Sequence, residues 1–209
     1  MVENKMTVVG FGDSITLACE VDDAHKWLNI LERKLRQRDP GTEWTVINAG
    51  VGGNTSREGL ARMAQDVLVH RPAMVLVEFG GNDATEEPAR HVSLEEYGSN
   101  LQAILDGLNG IDARMALVMF PPVIDEWHCW GNQPYYTLKG GVDRYIEEYR
   151  KVTRKFAQDH HLPLADINAA LRRAYDRFDR GTFIRPDGVH LTEGGNQVVA
   201  ETVFETLDT

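Results

Sequence analysis

The chain has 209 residues, 42% hydrophobic and 26% charged, with a formal net charge of −10. That size supports one α/β domain with a real core, residues 1–209, rather than two domains. The acidic balance speaks against nucleic acid and against an anionic membrane surface as partners, because both are held by clustered Lys and Arg.

In chain order, short β-branched runs alternate with longer stretches of helical spacing. Met6–Phe11 reads as the first strand, and Trp27, Leu28, Leu31 and Leu35 then repeat every three to four residues. Within that helix, Arg33–Arg38 alternates like a solvated face. Glu43–Asn48 is the second strand, followed by a stripe of Leu60, Met63, Val67 and Leu68. Ala73–Phe79 is the third. The clearest stripe is Leu94, Tyr97, Leu101, Ile104, Leu105 and Leu108, opened by Ser93 with Glu96 three residues on, the signature of a capping box. Arg114–Phe120 is the fourth strand, and Val142, Tyr145, Ile146, Tyr149, Val152 and Phe156 mark another helix. Leu162–Ile167 is a weaker fifth strand, and Val198–Leu207 closes the chain as a helix.

Strands that are apolar on nearly every residue and alternate with helices imply a mainly parallel sheet covered on both faces. The longest irregular stretch is Pro121–Gly141, rich in aromatics. No apolar run approaches the roughly 18 residues of a membrane span, and the start lacks the basic and apolar stretches of a secretion signal. A cytoplasmic protein is expected. Cys19 and Cys129 form no CxxC pair and are expected as free thiols.

Ligands of open α/β sheets bind outside the carboxyl ends of the strands. Four short stretches fall there: Gly12-Asp13-Ser14, the "NAGVGGNTS" run with Gly50, Gly52 and Gly53, the "GGND" of Gly80–Asp83, and "RPDGVHLT" with Asp187 and His190. Dinucleotide binding fails, because Ile15 and Thr55 stand where its third glycine belongs, and no GK[ST] phosphate loop exists. Adjacent His128 and Cys129 lack a partner pair at metal spacing, so neither a metal nor a cofactor is expected.

Nucleophilic hydrolysis fits better. A serine hydroxyl needs a base, and the base needs an orienting carboxylate. Ser14 can be the nucleophile, His190 the base and Asp187 its support, with the three-residue spacing letting both face one way. The Ser14 and Gly52 N–H groups and the Asn82 amide are candidate oxyanion donors. Asp13 and Asp83 read as turn or cap groups, although a second acid beside the triad stays open. Trp127, Trp130, Tyr135 and Tyr136 are open to two readings. They form a substrate-binding wall, or a loop packed on itself or on a second subunit of a homo-oligomer.

These blocks together resemble the GDSL, or SGNH, hydrolase family of serine esterases and lipases. "GDSIT" (Gly12–Thr16) matches its first block, Gly52 its second, Gly80–Asp83 its GxND block and Asp187–His190 its DxxH block. The resemblance runs from about Thr7 to Thr192. It implies a flavodoxin-like three-layer αβα sandwich with a five-stranded sheet. It also implies metal-free cleavage of small or medium-chain acyl esters through an acyl-serine intermediate. The same machinery would serve a carbohydrate O-acetyl esterase, an acyl thioesterase or an acyltransferase. A non-catalytic ligand-binding module is the reading from another class.

Overall fold

A computed structural model describes residues 4–207. Five strands, β1 (Asn4–Gly12), β2 (Thr42–Gly50), β3 (Met74–Glu78), β4 (Arg114–Val118) and β5 (Leu164–Ala165), form one sheet. Its order is β2-β1-β3-β4-β5, and every pairing is parallel. Val8, Val9 and Phe11 of β1, Val75–Val77 of β3 and Met115–Val118 of β4 are all buried, which is why the strands read as unbroken apolar runs.

Eight α-helices occur among the described residues: α1 (Ser14–Leu17), α2 (Trp27–Arg38), α3 (Ser56–Asp66), α4 (Leu94–Asn109), α5 (Pro134–Thr137), α6 (Val142–Asp159), α7 (Ile167–Tyr175) and α8 (Glu193–Thr206). Helix α8 packs on α2 and α7, while α4 packs on α3 and α6, giving the two helical layers of the expected sandwich. Strand order reverses between β1 and β3, which opens a crevice at the ends of these two strands.

Some local expectations change. The fifth strand keeps only Leu164–Ala165, because Asp166 turns out of the sheet and caps α7 by accepting from the Ala169 N–H at 2.9 Å. The final helix begins at Glu193, earlier than its apolar spacing indicates, with Thr192 as its cap. Ser93 caps α4, but Glu96 completes no box; its carboxylate takes a bidentate contact from Arg57 instead. A reciprocal capping box does open α3, between Thr55 and Glu58.

Pro121–Gly141 is a packed segment, not a loose one. The buried guanidinium of Arg150 in α6 holds the carbonyls at its start, donating to Phe120 O at 3.0 Å and to Pro121 O. Asp143 accepts from the Val123 N–H, and Asp125 accepts from the Asp143 N–H, each at 2.9 Å.

Candidate active site

The end of β1 delivers Ser14 to the crevice. Asp13 is fully buried and accepts from the Ile15 N–H at 2.9 Å, which starts α1 and fixes the turn that presents Ser14. Gly52 follows β2. A Cβ there would lie 4.0 Å from Ser14 Cβ with nothing nearer than 3.8 Å, so this glycine borders open space beside the serine. Asn82 follows β3. Its amide donates to Asp13 Oδ2 at 2.9 Å and to Asn54 O at 3.2 Å.

Asp187 and His190 share one turn. Asp187 Oδ1 accepts from the Val189 and His190 N–H groups at 3.0 and 2.9 Å, and Oδ2 meets His190 Nδ1 at 3.0 Å. Burial pushes the Asp187 carboxyl up, but those donors outweigh it and hold it below the usual carboxylate range. The turn leans on the aromatic segment. The Ile124 N–H donates to Gly188 O at 2.8 Å, and a Cβ on Gly188 would stand 2.6 Å from Ile124 O. With φ at +80°, Gly188 also adopts a backbone that other residues resist.

Ser14, Gly52, Asn82 and His190 line one cavity of about 340 Å³, with Asp187 behind the imidazole. Among the described residues no hydrogen bond joins Ser14 Oγ to His190, and Nε2 faces Glu20 Oε1 at 3.8 Å. Catalytic contacts are often long before substrate binds and tighten with it.

Beneath the serine, two fully buried carboxyls meet. Glu78, the last residue of β3, lies beside the Asp13 carboxyl and accepts from Thr16 Oγ1 at 3.1 Å, while its Oε1 has no hydrogen-bond partner. Burial and the Asp13 charge push Glu78 well up, and burial raises Asp13 as well. Asp83, also buried, accepts from the Ser56 N–H and hydroxyl and is pushed up to about 7 by burial.

The profile of the GDSL-like lipase/acylhydrolase family matches residues 11–198. The chain belongs to this family. It is 30% identical over 206 residues to thioesterase 1/protease 1/lysophospholipase L1 of Escherichia coli K12, covering 96% of this chain and 83% of that one. The crystal structure of the acetyl xylan esterase AlAXEase superposes with a TM-score of 0.76 at 27% identity, over 96% of this chain and 98% of its own. LAE5, an α/β hydrolase enzyme from the metagenome of Lake Arreo, Spain, shares the fold. Its TM-score is 0.80 at 23% identity, over 99% and 96% of the two chains. With esterases among its kin, this GDSL protein is a carboxylic ester hydrolase.

Of the four aromatics considered as a wall of the GDSL site, only Trp130 lines the cavity. Tyr136 is fully buried behind it, stacked on Trp130 with centroids 5.1 Å apart, and its hydroxyl binds the Ala84 carbonyl and the Glu86 N–H. Tyr135 lies edge-on to Tyr136 and Tyr145, with the Lys139 ammonium 4.5 Å from its ring centroid. Trp127 borders a separate hollow with Ile184 and Pro186, under Arg180. These three pack the segment against its neighbours, Trp127 on the Arg180–Pro186 stretch, Tyr135 on Tyr145 and Tyr136 on Ala84 and Glu86.

The cavity also takes in Cys19, His128 and Cys129, read from the sequence only as free thiols and as an incomplete metal pair, and Glu20, which no motif contains. Nothing in the spacing of Cys19-Glu20 marks them; the left-handed backbone of Ala18, which ends α1, turns the chain so that they border the site. His128 accepts the Trp130 N–H at Nδ1, and burial holds its ring below the usual histidine range.

Proposed function

We propose that this ester hydrolase cleaves small to medium-chain acyl esters through an acyl-serine intermediate. Ser14 attacks the carbonyl carbon as His190 Nε2 takes its proton, and Asp187 keeps the ring oriented through Nδ1. The Ser14 and Gly52 N–H groups and the Asn82 amide receive the oxyanion. His190 then returns the proton to the departing alcohol. Water, activated the same way, releases the acid.

One observation carries this reading: Ser14, Gly52, Asn82 and His190 border a single cavity. Its volume of about 340 Å³ is at the lower end for small-molecule sites, which favours short acyl groups. The test is hydrolysis of nitrophenyl esters from acetyl to octanoyl, with Ser14→Ala beside the wild type. Turnover that peaks at short chains and disappears in the variant supports the proposal. Turnover that survives in Ser14→Ala removes Ser14 as nucleophile, and a peak at octanoyl overturns the short-chain assignment.

A further inference from the structure

In acyl transfer at Ser14, the leaving oxygen must come within about 2.6–3.2 Å of the imidazole nitrogen that protonates it. Glu20 Oε1 lies 3.8 Å from that same nitrogen, His190 Nε2. The ester oxygen and this carboxylate are therefore neighbours around one atom. A substituent on the carbon next to the ester-bearing carbon is within reach of Glu20.

The carboxylate is not neutralised from elsewhere. Cys19 Sγ donates to Oε1 at 3.2 Å, and Arg185 reaches only the main-chain oxygen of Glu20, at 3.4 Å. Among the described residues no Lys or Arg lines the cavity, and the His128 ring is held toward its neutral form by burial. The Glu20 side chain is 19% exposed, enough to meet a ligand without being dissolved in bulk water. The leaving-group side of the site is thus a carboxylate acceptor beside the imidazole, with no Lys or Arg among the lining residues.

We propose that Glu20 is a specificity-determining residue that selects esters of alcohols carrying a hydroxyl or ammonium group next to the ester-bearing carbon. Monoesters of polyols and sugars have this chemistry, as do esters of amino alcohols. An alcohol bearing a carboxylate or phosphate at that place is rejected by the same charge. The inference rests on the acyl-serine reading above.

The experiment compares kcat/KM within two pairs of acetate esters. The first pair is 2-hydroxyethyl and 2-methoxyethyl acetate, which differ in one donor. The second is acetylcholine and 3,3-dimethylbutyl acetate, alike in shape and different in charge. A hydrogen bond or ion contact to a charged, partly buried acceptor predicts a preference of about tenfold for the first member of at least one pair. The pair that shows it identifies hydroxyl or ammonium as the partner. Glu20→Leu should abolish either preference. Glu20→Gln should abolish the acetylcholine preference while keeping part of the hydroxyl one, and it reads the charge even if Glu20→Leu does not fold.

Ratios near one in the wild type, or ratios unchanged in both variants, overturn the assignment of Glu20. Absence of any Ser14-dependent turnover on all four esters and on nitrophenyl acetate would instead overturn the acyl-serine reading, and the Glu20 inference with it.

Discussion

The Asn82 amide has both hydrogens engaged, one on Asp13 Oδ2 at 2.9 Å and one on Asn54 O at 3.2 Å. The shorter bond anchors the group, and the longer one is the bond an oxyanion at the cavity mouth can replace. On that account Asn82→Ala should lower kcat by roughly 100- to 1,000-fold with KM little changed, measured on nitrophenyl acetate. An unchanged kcat would remove Asn82 from the reaction. Gly52→Ala tests a second donor. Its added methyl meets no atom closer than 3.8 Å, so the melting temperature should hold while turnover falls, since the methyl intrudes beside Ser14. Loss of folding would show that the glycine is needed for structure. That Ser14, Gly52, Asn82 and His190 would meet, with Asp187 on the His190 ring, was legible because each sits in a short block at a strand end or on one turn. Glu20 and Glu78 were not, because their meaning depends on which charges stand beside them. Glu78 is an ordinary strand residue until the end of β1 brings the Asp13 carboxyl against it.

Among the elements, α6 does more than cover the sheet. Through Arg150 it fixes the carbonyls of Phe120 and Pro121, and Arg150 also binds Asp143 at 2.8 Å, while Asp143 holds the Val123 N–H. Arg150→Ala leaves these acceptors without their donor in the interior. It should cost about 3–5 kcal/mol, read from urea unfolding, and should loosen the segment that props the Asp187–His190 turn. A cost below about 1 kcal/mol would show that the clamp is dispensable. The sequence made α2, α4 and α6 plain through their long apolar stripes. It hid α7, nine residues long, because Leu164, Ala165 and Ile167 read as one strand until Asp166 is seen capping a helix. It also misdirected the capping box. Ser93 and Glu96 have the right spacing, yet Arg57 from α3 displaces the Ser93 N–H as donor to the carboxylate.

For the whole molecule, buried acids set the response to pH. Asp13, Glu78 and Asp83 are raised chiefly by burial, Asp83 to about 7. The folded chain therefore binds their protons more tightly than the unfolded chain does. Their stabilising contribution is complete below the ordinary carboxyl range, near about pH 4, and is lost as the pH rises through their folded values. Glu58 and Glu96, lowered by hydrogen bonds from Arg90 and Arg57, act in the opposite sense and lose their contribution in acid. Calorimetry from about pH 4 to 9 should find the highest melting temperature in weak acid, with a decline toward about pH 8. Glu78→Gln, which keeps the shape of the protonated acid, should flatten that decline. A melting temperature that climbs steadily across that range would mean that the interior acids are ionised without cost.

The stacked pair of Trp130 and Tyr136 gives the protein an optical handle on its own site. Of the four tryptophans, all among the described residues, Trp130 alone borders the cavity. Its indole therefore exchanges water for ligand when the crevice fills, whereas Trp27 stays sealed in the core. Titrating a tight, slowly hydrolysed ester mimic should shift the emission of the wild type and leave that of Trp130→Phe in place. Occupancy could then be followed without labels, and binding timed separately from bond cleavage.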